Sequence, residues 1–124
     1  MSFQHAHYFD IIGNMKTSDA INQLGALAQD TRLTIFRTLV QRHPEAVSAG
    51  ELGQQLGVAA ATLSFHLSHL ERAGLIQHRR QGRQRLYQAR LEAMNKLMAF
   101  LFEDCCQGNP AACPEGLMNQ LRNC

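Results

Sequence analysis

The most chemically distinctive residues of this chain are its cysteines. Three of the four, Cys105, Cys106 and Cys113, fall within nine residues, directly after an apolar stretch with helical spacing. Clustered thiolates select soft, thiophilic ions over hard ions that prefer oxygen ligands. A lone cysteine would carry less information, because free Cys often packs as a small hydrophobe. The cluster therefore predicts a soft-metal site or a thiol sensor.

Several other uses of the cysteines stay open. A closed structural zinc site would need a fourth ligand, which Cys124 could supply, although we expect Cys124 to be spare. A thiol redox switch would pair Cys113 with either neighbour, because a disulfide between adjacent residues is strained. A disulfide framework suits a small secreted domain. We expect a cytoplasmic protein instead, since the chain shows neither a signal-peptide pattern nor an apolar run of about 20 residues.

The arginines are distributed unevenly along the chain. At 124 residues and 45% hydrophobic composition, the chain is expected to build one core, and its net charge is only +2. Between residues 60 and 90, however, six arginines face a single acid, Glu71. This is the pattern of a phosphate-binding face, and Arg suits bidentate phosphate contacts. The alternative is a solvated surface. The six are Arg72, Arg79, Arg80, Arg83, Arg85 and Arg90.

The elements that must position these residues follow from the spacing of apolar side chains. Ser18 or Thr17 is expected to cap a first helix and Asp30 a second, with Leu33, Ile35, Phe36, Leu39 and Val40 facing inward. Ser48 and Glu51 fit a capping box for a short third helix that ends at Gly57. A fourth helix is predicted over 60–73, followed by a hairpin with strands 75–80 and 85–89, and a last helix from Leu91 to Cys105.

This order of elements predicts a mainly α fold with a small β-hairpin. Two short helices joined at Gly57 and Val58 form a helix-turn-helix, and the arginine-bearing hairpin after them is a wing. We therefore expect a winged helix-turn-helix. The expected divisions are an N-terminal arm or short helix over 1–16, the winged helix with its dimerisation surface over 17–104, and a cysteine-containing effector segment over 105–124.

The fourth helix is predicted to read DNA. Leu63, Leu67 and Leu70 would face the core, which leaves a polar face outward. Hydroxyls can bond phosphates or base edges, and an exposed Phe can contact a thymine methyl. His66 is ambiguous, because it lies beside the leucine stripe and a structural role is favoured over base reading. The DNA-binding candidates are Thr62, Ser64, Phe65, His66, Ser68 and His69, with Arg79, Arg80, Arg83 and Arg85 for phosphates or a minor groove.

Two segments carry a family resemblance. Residues 28–36 (AQDTRLTIF) and 61–76 (ATLSFHLSHLERAGLI) resemble the second helix and the recognition helix of ArsR/SmtB-type repressors, and the match covers about residues 18–104. The resemblance implies a homodimer that binds palindromic operator DNA, with the first and last helices pairing between subunits. An apolar stripe on the last helix agrees with this expectation. The expected interface residues are Ile21, Leu24, Leu91, Met94, Leu97, Met98 and Leu101.

The resemblance also bears on the effector. Glu51-Leu52 is followed by Gly53 rather than by the cysteines of one familiar arsenic and cadmium site, and no histidine after His78 can build the zinc site of the last helix. Cys105, Cys106 and Cys113 resemble the cysteine site of the family branch that senses arsenite at the end of that helix. Trivalent arsenic favours three thiolates, which matches their number. Antimonite and methylated trivalent arsenicals remain alternatives.

Three classes of function fit parts of the sequence. A repressor released by a thiophilic effector accounts for both the arginines and the cysteines. A thiol enzyme would need a Cys-x-x-Cys pair or a pocket with a base, and neither is evident. A metal buffer would leave the arginine wing unexplained. We therefore expect a DNA-binding repressor with no membrane partner and no catalytic cofactor.

Overall fold

A computed structural model describes residues 15–102 of the chain. Most of the arm expected over 1–16, all four cysteines and the expected last turn of the closing helix therefore lie outside the described residues. Five helices and three short strands occur within 15–102, in the order that the winged helix-turn-helix prediction requires. They are α1 (Thr17–Leu27), α2 (Asp30–Arg42), β1 (Val47–Ser48), α3 (Ala49–Leu56), α4 (Ala60–Arg72), β2 (Ile76–Gln81), β3 (Gln84–Ala89) and α5 (Leu91–Phe102).

The first two helix starts differ from the prediction. Lys16 occupies the N-cap position of α1 without a side-chain hydrogen bond, so Thr17 is the first residue of the helix. At α2 the cap is Gln29, whose side-chain oxygen accepts from the Arg32 backbone N–H at 2.8 Å. Asp30 instead stands in the first turn, where a carboxylate is favoured by the helix dipole.

The helix-turn-helix is formed by α3 and α4. The Ser48 hydroxyl accepts from the Glu51 backbone N–H at 3.1 Å, which confirms Ser48 as the cap. The Glu51 carboxylate accepts from Arg42 Nη1 at 2.7 Å, so it does not close the predicted capping box. Gly57 ends α3 with φ +67°, a backbone conformation that residues other than glycine rarely adopt. The turn is tight, since a Cβ at Gly53 would lie 3.1 Å from the Val58 carbonyl oxygen.

The wing is an antiparallel pair, β2 and β3, joined by Gly82 and Arg83. Its register pairs Ile76 with Ala89 and Arg80 with Arg85. β1 adds to the outer edge of β3 through only two residue pairs, giving the order β1-β3-β2. A two-residue strand is too short to show an alternating pattern, so the sequence carries no signal for β1.

The core lies between α2, α4 and the sheet. Leu63, Leu67 and Leu70 are buried as predicted. Leu33 and Val40, which were expected to face inward, are instead exposed. The buried side of α2 runs through Arg32, Ile35, Phe36 and Leu39, so residues 33 and 40, seven apart, share the opposite flank.

The closing helix packs against the start of the described chain. Leu97 is only 2% exposed and forms a small cluster with Met15 and Ala20, which Met94 and Phe100 partly cover. Leu97 was expected in a dimer interface, but its side chain is already buried within its own chain and offers almost no surface to a partner. No helix within residues 15–102 is both long and apolar enough to cross a membrane.

Candidate nucleic-acid interface

The outward face of α4 carries short polar side chains. Thr62, Ser64 and Ser68 are exposed, and His69 is half-buried. Phe65 is 61% exposed and meets the His69 ring edge-on, with 6.5 Å between ring centroids. An exposed aromatic ring among hydroxyls can contact a thymine methyl while the hydroxyls bond base edges or phosphates. The predicted reading face is therefore accessible.

His66 does not belong to that face. It is buried, and its Nδ1 lies 3.4 Å from Nη1 of Arg32. Arg32 is buried as well, and its Nε donates to the Ala26 carbonyl oxygen at 2.7 Å. Its burial and its contact with Arg32 agree with the structural role that was favoured over base reading. Arg32, which the sequence analysis did not single out, links the end of α1 to α2 and α4.

His69 lies at the margin of the reading face, next to several cations. Its pKa is lowered from the ordinary value, first by partial desolvation and then by the positive charges of Arg32, Arg72 and His66. The neutral imidazole can still donate one N–H and accept one hydrogen bond. Arg72, one turn beyond Ser68, is exposed and was not among the site predictions, although it belongs to the arginine-rich region.

The wing concentrates positive charge. Arg79, Arg80, Arg83 and Arg85 are all exposed, and residues 76–89 contain no Asp or Glu. Arg80 and Arg85 lie directly opposite each other in the register, an arrangement that costs stability for like charges. Arg79 points to the other face of the hairpin, because side chains alternate along a strand. An anionic partner would relieve the repulsion within the wing.

A hydrogen bond joins the wing to the reading helix. His78 Nδ1 on β2 lies 2.6 Å from Glu71 Oε2 near the end of α4. On the same face of the hairpin, the His78 ring contacts Tyr87, which is buried in the core. These contacts fix where the arginines lie relative to α4. In the sequence Glu71 is a single acid among arginines, and no local pattern indicates its pairing with His78.

The remaining candidates for a dimer interface differ in exposure. Ile21 and Leu24 on α1 and Leu101 on α5 are 62%, 42% and 47% exposed. Leu91, Met94 and Met98 are half-buried. Because α1 and α5 contact each other, exposed apolar side chains occur on two packed helices. Within residues 15–102 no three His, Cys, Asp or Glu side chains are grouped to hold a metal ion.

The exposed reading helix, the charged wing and the fold define the class of protein, a winged-helix transcriptional regulator. A helix-turn-helix domain model matches residues 27–79. The nodulation protein NolR of Rhizobium meliloti is 30% identical over 104 residues, covering 82% of this chain and 83% of that protein. This relative shows the family: the chain belongs to the helix-turn-helix transcriptional regulators of the ArsR/HlyU type, which are DNA-binding proteins and not enzymes.

Two solved structures are similar over the same region. One, a possible transcriptional regulator for arsenical resistance, is 26% identical, covers 66% of this chain and 82% of its own, and has a TM-score of 0.58. The other is the homodimeric winged helix-turn-helix domain of Mb0332 from Mycobacterium bovis, a possible ArsR-family regulator. It is 25% identical, covers 70% of this chain and 83% of its own, and has a TM-score of 0.54.

Proposed function

We propose that the protein is a homodimeric repressor that binds a palindromic operator and releases it when trivalent arsenic binds Cys105, Cys106 and Cys113. One observation carries the proposal. The same chain combines an exposed reading helix beside a charged wing with a three-cysteine cluster that begins three residues after α5. Neither a thiol enzyme nor a metal buffer explains both features. The repressor would act on chromosomal or plasmid DNA in the cytoplasm.

DNA recognition uses two surfaces with different tasks. The α4 face would enter the major groove, where Thr62, Ser64 and Ser68 can reach base edges or phosphates and Phe65 can reach a thymine methyl. The wing arginines, with Arg72, would contact the phosphates on either side. Phosphate contacts set affinity and orientation, while base contacts set specificity.

Dimerisation supplies the symmetry that a palindromic operator requires. Two reading helices related by a two-fold axis contact half-sites about one helical turn apart, roughly 34–36 Å. Exposed Ile21, Leu24 and Leu101 offer apolar surface on α1 and α5. A homodimeric relative with the same fold supports this arrangement.

The effector proposal depends on the cysteines. Three thiolates match the coordination number of trivalent arsenic, and antimonite or a methylated arsenical would use the same chemistry. One similar structure is named for arsenical resistance, which supports the proposal. NolR, in contrast, is named for nodulation. Membership of the family therefore leaves the effector open, and the cysteine cluster is what favours arsenic over zinc or peroxide in this chain.

Release from DNA follows from linkage. Arsenic must bind the dimer conformation that does not fit the operator more tightly than the one that does. DNA must then weaken arsenic binding by the same factor. Because the cysteine segment directly follows α5, a helix of the proposed interface, filling the site would change how the two reading helices are spaced.

Mobility-shift titrations of single cysteine variants test the proposal. Cys105→Ser, Cys106→Ser and Cys113→Ser should each bind operator DNA like the parent protein and lose most of the arsenite-induced release. Losing one of three thiolates leaves a two-coordinate site that water or small thiols can contest. Cys124→Ser is the matched control and should respond normally. Magnesium should have no effect, since it prefers oxygen ligands.

Each other outcome has a distinct meaning. Normal release by Cys113→Ser would show that the vicinal pair suffices, as expected for a two-thiol ligand such as a methylated arsenical. Release by zinc or peroxide but not arsenite would favour a zinc or redox sensor. Normal release by all three variants would remove the cluster as the sensor. Failure of the parent protein to prefer any palindrome over random duplex would contradict the repressor function.

A further inference from the structure

A cleft lies beside the reading helix, between α3, the first turns of α4 and strand β3. Its volume is about 390 Å³, within the usual range for small-molecule sites of roughly 300–1,000 Å³. Its lining residues fall between positions 49 and 87, so none of them belongs to the cysteine-containing segment over 105–124. The cleft is lined by Ala49, Gly50, Gly53, Gln54, Val58, Ala60, Leu63, Ser64, Leu67, Arg85 and Tyr87.

The lining is mostly apolar with one cation. Val58, Leu63 and Leu67 provide aliphatic walls, while Gln54 and Ser64 are its uncharged polar side chains besides the Tyr87 phenol. Arg85 is the one charged residue among the described residues that line the cleft, and no acid lines it. An apolar cleft of this kind favours a ligand that covers its walls with hydrocarbon.

Arg85 is also free to take an anion. Arg42 and Arg90 are paired with glutamates, Arg42 with Glu45 and Glu51, and Arg90 with Glu92. Within residues 15–102 Arg85 has no carboxylate partner, and its neighbour across the hairpin is another cation, Arg80. A carboxylate at the cleft would form a charge-assisted hydrogen bond with the Arg85 guanidinium and reduce that repulsion.

We propose that this cleft binds an amphipathic monocarboxylate, with its hydrocarbon part against Val58, Leu63 and Leu67 and its carboxylate on Arg85. At about 30 Å³ for each water-sized group, the cleft holds on the order of a dozen non-hydrogen atoms. Medium-chain aliphatic acids and short aryl-alkanoic acids have this size. A free phosphate or a DNA backbone phosphate would gain nothing from the apolar walls.

The ligand would also act on DNA binding. This effect rests on the proposed function, in which Arg85 contacts a DNA phosphate. The carboxylate ligand and the operator then compete for the same guanidinium. By linkage, a saturating carboxylate should weaken operator affinity, and operator should weaken carboxylate binding equally. The cleft would thus be a second effector site, independent of the cysteines.

Gly50 permits a clean test of the site. It lines the cleft in α3, and a Cβ built there meets no atom within 4 Å. Because the Cβ position is open, Gly50→Leu should place a four-carbon side chain at the cleft, while Gly50→Ala adds only one carbon and is the matched control. Leucine and alanine both have a higher helix propensity than glycine, so neither substitution should weaken α3. Thermal unfolding of both variants checks that the fold is retained.

The probes are decanoate and 4-phenylbutanoate, with decylammonium as a tail-matched cation. Binding is followed by calorimetry and by the methyl NMR signals of Val58, Leu63 and Leu67. Either carboxylate should shift these signals in the full chain and bind at least tenfold more tightly than decylammonium. Gly50→Leu should lose at least tenfold in carboxylate affinity, and Gly50→Ala should retain it. Arg85→Gln should reduce carboxylate binding to the level of 1-decanol.

Other results would overturn the proposal. Unmoved methyl signals with both carboxylates, or equal binding by Gly50→Leu, would show that the cleft is not a carboxylate site. Equal affinity for decylammonium would remove the role of Arg85. If Gly50→Leu bound carboxylate normally but lost operator affinity, the cleft would belong to the DNA interface. Carboxylate binding measured without DNA stands even if no operator is found, which separates failure of this proposal from failure of the repressor function.

Discussion

Among single residues, Arg32 supports the reading helix from its buried side. It is buried, donates from Nε to the Ala26 carbonyl oxygen and places Nη1 3.4 Å from His66 Nδ1. A buried polar group left without its partner costs about 1–3 kcal/mol. Because these contacts join α1, α2 and α4, Arg32 and His66 fix the buried side of the reading helix and leave its outward face exposed.

Arg32→Met should therefore lower the free energy of unfolding by about 1–3 kcal/mol, because it orphans both the Ala26 carbonyl oxygen and His66. Urea denaturation, monitored by circular dichroism, measures the change in the free energy of unfolding. Arg37→Met is the control, since Arg37 is exposed on the same helix and its replacement should change stability by no more than about 0.5 kcal/mol. Equal losses in the two variants would show that the buried contacts of Arg32 contribute no stability.

His69 should titrate below its ordinary value. Desolvation and the charges of Arg32, Arg72 and His66 disfavour its protonated form in the folded chain, so its pKa lies below 6.5. The unfolded chain then binds the proton more readily. The contribution of His69 to stability is present above pH 6.5 and is lost as the pH falls through the folded pKa.

NMR titration of the His69 ring measures this pKa directly. Arg72→Gln should raise it, because one nearby positive charge is removed while the burial of His69 is unchanged. Arg79→Gln, on the wing, is the control and should leave the midpoint where it is. A His69 pKa at or above 6.5 in the parent protein would contradict the assigned causes.

At the scale of elements, the predictable features were those with strong local signals. Ser48 with Glu51 and Gly57 marked both ends of α3, and the leucine spacing marked the buried side of α4. Contacts distant in sequence left no such signal. Arg32 to His66 and Glu71 to His78 depend on how helices cross and where β2 begins. Likewise, the helical spacing of apolar residues could not distinguish the two flanks of α2, so Leu33 and Val40 were predicted to face the core.

The wing gives a prediction of its own, because its charge acts on DNA through phosphates. Arg80→Ala and Arg83→Ala should weaken binding to operator and random duplex alike. The slope of log affinity against log salt should shrink by about 0.9 for each phosphate that the variant no longer neutralises. Fluorescence anisotropy at several salt concentrations measures both quantities.

Arg90→Gln is the matched control for the wing, since the charge of Arg90 is already paired with Glu92 at 3.0 Å. It should change neither the affinity nor the slope by a comparable amount. An unchanged slope in both wing variants would place the hairpin away from DNA, and a weakening confined to the operator would make Arg80 or Arg83 a base-reading residue.

At the scale of the whole molecule, burial decides which apolar residues can serve a second copy of the chain. The last helix shows a continuous apolar stripe in the sequence, but the structure divides it. Leu97 is buried against Met15 and Ala20, whereas Leu101 remains 47% exposed. Sequence spacing predicted the stripe but could not divide it, because α1 returns against α5 only in the folded chain.

The dimer can therefore be tested without disturbing the core. Ile21→Glu combined with Leu101→Glu should give a folded monomer, because both side chains are exposed in one chain and the two-fold axis repeats each new charge in the partner. Sedimentation velocity measures the mass. Operator affinity should fall by about 10²–10⁴-fold, since each monomer then holds one half-site without the linked second one. Leu33→Glu, on α2 and nearly as exposed as Leu101, should remain a dimer, while Leu97→Glu should unfold the chain. A dimer that survives the double substitution would move the interface away from α1 and α5, and with it the proposed route from the cysteine segment to the reading helices.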